Sequence, residues 1–345
     1  MSGLSCAINL ALGGKEVVVF ERNPSVGLQV HENYQVLQTR GKTAGEYLAS
    51  LNLKPDFHHL SLDKTIFSTS SRDLPLNLKQ EVFFVQRGGK NSLEDGLFRQ
   101  AAGLGVRFQF NSHALESEAE VVATGPRRVD AAAFGAVYEN TDFPRDRFLM
   151  MYDDRYSPRG WYLYIIPFSE NKVEVVNCAS QPHAGRVRDL FHNALQERAV
   201  LKKYFDGAKP VSTFGGFGNV GIPKSAIKNG SLIVGEAAGF QDPFRGFGMN
   251  FALESGRLAA EAILRGVNYD ALWRKSLMPQ FKLDYSRRFF VSILGSGLID
   301  LMYRGTKSGD TIGFKSGDVG GAVGSALKSV FFQAELAKKR ITGFW

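Results

Sequence analysis

The segment Ser231–Ile263, SLIVGEAAGFQDPFRGFGMNFALESGRLAAEAI, limits the folds open to this chain more than any other. A short apolar strand, Leu232-Ile233-Val234, runs into Gly235 and an acidic residue, Glu236. A loop follows with Asp242-Pro243 and the glycines Gly246 and Gly248, and from Met249 onward Phe251, Leu253, Gly256, Leu258, Ala259 and Ile263 recur at helical spacing. A strand ending in a carboxylate, then a glycine loop opening a helix, builds a cofactor cradle. Glycines let backbone N–H groups approach a ligand, and the helix terminus offers partial positive charge to an anion. A plain strand–turn–helix crossover would need the glycines only for its bend, so a second cofactor signal is what separates the two readings.

That second signal lies at the start of the chain. Residues 2–14 predict a helix, with Leu4, Ala7, Ile8, Ala11 and Leu12 repeating at three and four and Gly13-Gly14 breaking it. Residues 16–22 predict a continuous apolar strand of the kind buried in a parallel sheet, closing on Glu21 and Arg22. A helix, a tight turn and a strand with a terminal carboxylate form the second half of a dinucleotide-binding βαβ unit. In that unit the acidic residue, about 20 positions beyond the glycine loop, hydrogen-bonds a ribose hydroxyl. Gly3 takes the place of the third glycine of G-x-G-x-x-G, with Met1 and Ser2 in the variable positions before it. The first strand and first two glycines would then precede Met1; either the sequence starts late or the phosphate loop has been lost.

Taken together, these segments resemble the FAD-dependent oxidoreductases. The group most similar is the geranylgeranyl-reductase-like one within the glutathione-reductase and p-hydroxybenzoate-hydroxylase superfamily, over most of residues 2–263. The resemblance implies FAD as cofactor and an α/β fold: a Rossmann-like parallel sheet with helices (1–53, 80–130 and 225–265), an inserted antiparallel β substrate domain (54–79 and 131–224) and a helical C-terminal region (266–345). Gly235-Glu236 matches the family's Gly-Asp motif, which places a carboxylate on the flavin ribityl chain, with Glu in place of Asp. Asp242-Pro243 and Gly246-Phe247-Gly248-Met249-Asn250 match the segment lying against the isoalloxazine ring, where the helix N-terminus stabilises anionic reduced flavin. Arg87, ahead of a helix predicted over 92–104, matches an arginine that contacts the cofactor; read alone, it is a solvated helix-entrance residue. With Gly3, Glu21 and Arg22 these residues complete the expected FAD site. The Asp-Gly motif of the hydroxylase subgroup is not recognisable after Thr124-Gly125, where Arg127-Arg128-Val129-Asp130 follows.

The remaining chain predicts strands at 34–37, 67–70 and 81–85, with Pro75 and Asn77 in a connection, and a helix over 43–51. Aromatic and β-branched runs over 134–177 predict an antiparallel sheet, and 186–205 one amphipathic helix. Within that sheet Pro158, Tyr162, Tyr164, Ile166 and Pro167 resemble the reductase P-x-x-Y-x-W-x-F-P segment lining the substrate cavity, with one extra residue after Pro158 and Tyr where Trp is usual. Alternation puts Tyr162, Tyr164 and Ile166 on one face, either roofing an apolar substrate or packing aromatics against helices. Phe217, in the glycine-rich stretch 213–223, joins Tyr162 and Tyr164 as a cavity candidate. No catalytic acid or base stands out: the Tyr164 phenol, with an ordinary pKa of about 10, would need help to donate a proton.

Past Ile263, Arg287-Arg288 predict the entrance of an amphipathic helix. One side carries Phe289, Phe290, Ile293, Leu294, Leu298, Leu301 and Met302, another Ser292, Ser296 and Asp300. Such a helix either packs on its own domain or lies on a membrane surface between basic flanks. Residues 305–324 read as a glycine-rich loop before a last helix. The formal charge is +8, and residues 266–345 hold twelve Lys/Arg against six Asp/Glu. No dense basic run or nucleic-acid motif accompanies it, so no nucleic-acid partner is expected. Neither metal-ligand spacing nor an apolar run of the ~18–20 residues needed for a membrane span is present, and the two cysteines suit a reducing, cytoplasmic compartment. Transient contact with a membrane surface stands as an added possibility.

The expected activity is reduction of carbon–carbon double bonds in an apolar, isoprenoid-type substrate, with electrons from NAD(P)H or an electron-transfer protein. The same flavin fold also serves monooxygenases and halogenases, and a truncated homologue without catalytic activity is the non-enzymatic alternative.

Overall fold

The computed structural model describes residues 1–313 and 322–342, so part of the glycine-rich loop expected at 305–324 lies outside the described residues. The strands are β1 (Val18–Glu21), β2 (Asn33–Leu37), β3 (His59–Thr69), β4 (Asp73–Arg87), β5 (Arg107–Phe110), β6 (Val121–Val122), β7 (Ala131–Glu139), β8 (Phe148–Tyr152), β9 (Leu163–Pro167), β10 (Lys172–Ser180), β11 (Pro210–Gly218), β12 (Ile227–Lys228), β13 (Ser231–Ile233) and β14 (Thr311–Ile312). The helices are α1 (Ser2–Leu12), α2 (Ala44–Ala49), α3 (Leu93–Gly103), α4 (Val187–Glu197), α5 (Ala199–Phe205), α6 (Met249–Arg265), α7 (Tyr269–Leu294), α8 (Ser296–Met302) and α9 (Ala322–Thr342). They form two units, residues 1–60, 83–127 and 219–280 in the first and 61–82, 128–218 and 281–345 in the second. Residues 266–280 thus fall in the first of these units and 281–345 in the second.

In the first unit β1 pairs in parallel with β5, and β6 in parallel with β13, which carries β12 antiparallel on its other edge. The Phe83–Arg87 end of β4 pairs antiparallel with β2. The core joins Leu4 and Ile8 of α1, Leu37, Tyr47, Leu48, Leu53, Val85, Leu93, Leu97 and Leu253. Helix starts follow local chemistry: Thr43 and Glu46 form a capping box on α2, and the Ser92 side chain caps α3. Helix α1 lies so close to α6 that a Cβ at Gly256 would collide with the Ser2 carbonyl. The strand β1 is less buried than its sequence predicts. Only β5 pairs with it among the described residues, and Phe20 is 46% exposed.

The second unit is built on a sheet in the order β11-β7-β10-β9-β8-β3-β4-β14, antiparallel except where β3 meets β8 and β4 meets β14. Helices α4 and α5 cover one face, setting Phe191, Leu201 and Phe205 on Leu163, Ile165, Val173, Val175 and Ala136. Three expectations change here. The strands predicted near 67–70 and 81–85 are longer, and Pro75 and Asn77 lie within β4. On the side away from β3 only the two-residue β14 runs beside them, at the sheet edge where a missing N–H is tolerated. The helix expected over 186–205 breaks at Arg198, whose backbone is extended. Arg287-Arg288 lie inside α7 rather than ahead of a helix, and Arg288 is fully buried.

Candidate functional site

The first turn of α1 is where the expected cofactor residues of the first unit meet. A Cβ at Gly3 would sit 3.2 Å from Ala123 Cβ, just past β6, the close helix–strand approach expected of a third fingerprint glycine. Ser2 packs on Gly235, whose φ of +61° and lack of a side chain let the chain turn there; a Cβ would stand 2.6 Å from Ser2 Oγ.

Each strand end contributes an acid. At the end of β1, Glu21 Oε1 accepts the Asn23 N–H at 2.9 Å and Asn23 Nδ2 at 2.8 Å, which fixes the carboxylate. Arg22 beside it is exposed. Beyond β13, Glu236 Oε1 accepts the Asn219 N–H at 3.0 Å, and the Glu236 carbonyl accepts Asn219 Nδ2 at 3.0 Å. Burial pushes the Glu236 carboxyl up to about 7, against the opposing pull of the Asn219 N–H and the more distant Arg87 charge.

The loop between Glu236 and α6 is shaped by its own side chains. Asp242 Oδ1 accepts the Phe244 and Arg245 N–H groups at 2.6 and 3.1 Å, and the Asp242 carbonyl accepts the Gly246 N–H at 2.9 Å. Asp242 thus holds a turn, with Pro243 buried beside it. Gln241 Nε2 donates to the Gly246 carbonyl at 2.9 Å, while Gln241 Oε1 is buried without a partner among the described residues. Gly248 is the N-cap of α6 and no side chain caps this terminus, so its first N–H groups keep their capacity for an anion.

Two expected cofactor residues are held by protein groups. Arg87 Nε donates to Glu94 Oε1 at 2.6 Å and its Nη1 to Gln35 Oε1 at 2.5 Å. Burial, the largest single influence, would raise the Glu94 carboxyl, but the opposing pulls, led by the charge of the Arg87 guanidinium, together hold it below the usual range. Asn250 clamps the chain just after β2: its Oδ1 accepts the Gln38 N–H at 3.2 Å and its Nδ2 donates to the Gln38 carbonyl at 2.5 Å. Met249 is buried in the core. These partners, Gln35, Gln38, Glu94 and Asn219, carry no motif, and only the fold brings them in.

In the second unit Tyr162 and Tyr164 do share a face, their rings 6.0 Å apart. The row continues through Tyr152, 5.8 Å from Tyr162, to Phe67, 5.6 Å from Tyr152, on the sheet face away from α4 and α5. Phe217 does not belong with them. It stands on β11, three strands from β9 or roughly 14 Å at sheet spacing. It also pairs with Ala132, which packs under α4, so it points to the opposite face and is 64% exposed. The aromatic on the tyrosine face is Phe214, whose ring lies over Gly135, in register with Val176 and Tyr164. Parity already separates the two phenylalanines, because residues three apart on a strand face opposite ways. Trp161, its ring 6.4 Å from that of Tyr162, donates to Ser180 Oγ at 2.8 Å beneath the Arg288 guanidinium.

Comparison with known proteins agrees with this architecture. No family model matches the chain. Digeranylgeranylglycerophospholipid reductase 2 of Methanothermobacter thermautotrophicus is 24% identical over 90% of each chain. A geranylgeranyl bacteriochlorophyll reductase-like protein of Thermoplasma acidophilum superposes with a TM-score of 0.70 at 15% identity, covering 98% of this chain and 96% of its own. The chain is a homologue of the first of these and shares the fold of the second. The flavin-dependent brominase Bmp2 shares the fold, with a TM-score of 0.64 at 16% identity over 99% of this chain and 97% of its own. The chain thus has the α/β fold its sequence predicts, one it shares with flavin-dependent enzymes. The site of the first unit fits their cofactor. It offers two carboxylates at strand ends, a glycine turn without side-chain bulk, a buried acceptor lacking a donor at Gln241, and an uncapped helix terminus.

Proposed function

We propose that this protein is a FAD-dependent reductase of carbon–carbon double bonds in an apolar, isoprenoid-type substrate, supplied with electrons by NAD(P)H or a small electron-transfer protein. The observation that carries this reading is the row Tyr152, Tyr162 and Tyr164, which continues to Phe67, itself packed against Tyr303. It is a continuous aromatic wall suited to a long hydrocarbon, which offers no charge to recognise. In the first unit, Glu21 would take the ribose hydroxyls, and Gly235 with Glu236 the ribityl chain. The α6 terminus would meet negative charge on the ring system. Bound FAD supplies hydride-type transfer. The protein's part is to orient the substrate and exclude water from it, which the aromatic wall does by covering apolar surface. Near neutrality Glu236 can either accept or donate a hydrogen bond at the ribityl hydroxyls, because its carboxyl titrates at about 7. Both thiols, Cys6 and Cys178, are buried and unpaired, in keeping with a reducing cytoplasm.

The test is anaerobic turnover of FAD-loaded protein on a geranylgeranyl-bearing lipid with dithionite or NADPH, read by mass spectrometry. The expected product gains two hydrogens for each double bond lost. Hydroxylated or halogenated product under aerobic conditions, with no saturated product anaerobically, would replace this reading with the oxygen-activating alternative.

A further inference from the structure

An amphipathic helix normally buries its apolar side, but the corner between α7 and α8 buries polar groups beside Ile299 and leaves large apolar side chains outside. On α8 the inward positions are Ser296, Ile299, Asp300 and, one residue on, Tyr303, at the spacing of one helix face. The Ser296 N–H and Oγ donate to Asp154 Oδ2 at 2.7 and 3.2 Å. Asp300 Oδ1 accepts Thr69 Oγ1 at 2.5 Å and Ser71 Oγ at 3.0 Å, and Tyr303 lies 4.3 Å from the Phe67 ring. The other side faces out: Leu301 is 62% and Met302 58% exposed, and the last turn of α7 adds Ile293 at 60% and Leu294 at 56%. Single exposed apolar residues are ordinary, but four large ones on two successive helix ends make a patch, and patches mark interaction sites.

The surrounding charge selects the partner. Arg304 and Lys307 are exposed directly after Met302. Lys338 Nζ donates to Ser292 Oγ at 2.5 Å, which brings a third cation, on α9, to the same corner. A second copy of this chain would bring like charges together, which opposes self-association. An anionic bilayer satisfies both halves of the surface, taking the apolar tips among its acyl chains and the cations among its headgroups. No helix among the described residues is long and apolar enough to cross a membrane, so contact would be with one leaflet. We propose that the α7–α8 corner docks this protein on an anionic lipid surface. This goes beyond the proposed activity and does not depend on it.

The experiment is flotation of the full chain with vesicles of phosphatidylcholine and phosphatidylglycerol in equal parts, against phosphatidylcholine alone. The wild type should float with the anionic vesicles and be released by high salt. Ile293→Asp with Leu301→Asp, and separately Arg304→Glu with Lys307→Glu, should each lower partition by about tenfold or more. Thermal melting reports that these surface variants remain folded, and the charge pair, in a loop, serves if the helix pair does not. Wild type that stays unbound, or variants that float like it, would overturn the proposal. So would a dimer in sedimentation without vesicles that Ile293→Asp with Leu301→Asp abolishes.

Discussion

Replacing Glu236 by Gln should stabilise the FAD-free protein at and above neutral pH, although it alters the expected cofactor site. The Glu236 carboxyl is raised from an ordinary 4.5 to about 7 by burial. At pH values between these two, the folded protein binds a proton that the unfolded chain has given up. Stability therefore falls as pH rises through this window, and the loss is complete above the folded value. A displacement of this size corresponds to at most about 3 kcal/mol, at 1.36 kcal/mol per pH unit. Residual contact of the side chain with water lowers that to about 1–3 kcal/mol. Glutamine keeps an oxygen to accept the Asn219 N–H but has no charge to desolvate, so the variant should lack this component entirely. Urea midpoints of wild type and Glu236→Gln from about pH 4 to about pH 8 isolate the effect, because other titrating groups cancel in the difference. The two should agree at the acidic end, with Glu236→Gln the more stable at the alkaline end. Parallel profiles would refute the reasoning, since the carboxyl would then titrate alike in the folded and unfolded chains.

Arg87→Met should destabilise the protein by about 3–5 kcal/mol in urea unfolding, because it strands the Glu94 carboxylate in the interior; Arg87→Met with Glu94→Leu should recover most of that loss. Gly256→Ala should lower stability by about 1–3 kcal/mol or more, seen in thermal melting, since the new methyl meets the backbone carbonyl of Ser2 and not a side chain able to swing away. Tyr164→Ala should raise KM for the apolar substrate by about tenfold, the loss of one large apolar contact. Phe217→Ala, on the other sheet face, should leave KM unchanged.

The strand, turn and helix of the expected cradle were legible because the pattern that builds them is local. A strand, an acid, a glycine turn and a helix follow one another within Ser231–Ile263, and β13, Glu236 and α6 form in that order. The acidic end of β1 was legible for the same reason. What short motifs could not reveal is how firmly the structure would engage their own residues. Arg87 and Asn250 match cofactor-contacting positions, yet Arg87 spends two donors on Glu94 and Gln35, and Asn250 holds the backbone of Gln38, 212 positions away. Nothing in the local pattern around Gln35 or Gln38 marks them as partners. Phe217 was misplaced for a simpler reason. A glycine-rich stretch with aromatics reads as loop, and only when it is recognised as the edge strand β11 does parity assign Phe214 to the tyrosine face.

The α7–α8 corner shows the limit more sharply. Hydrophobic periodicity establishes that a helix has two unlike faces, but which one turns inward depends on what the rest of the fold offers. Here the fold offers polar groups from distant parts of the chain: Asp154, 142 positions before Ser296, and Thr69, 231 positions before Asp300. A buried serine or aspartate with such partners no longer carries the desolvation penalty that would normally keep it outside. The polar face can then be the packed one, leaving Ile293, Leu294, Leu301 and Met302 to face outward. Removing the polar partner tests that balance directly. Asp154→Ala leaves the Ser296 N–H and hydroxyl buried and unpaired, and should loosen α8 by about 1–3 kcal/mol. In hydrogen exchange, amides of residues 296–302 should lose protection while those of α4 keep theirs. Unchanged protection of α8 would mean that packing of Ile299 and Tyr303, not the polar contacts, decides which face is buried.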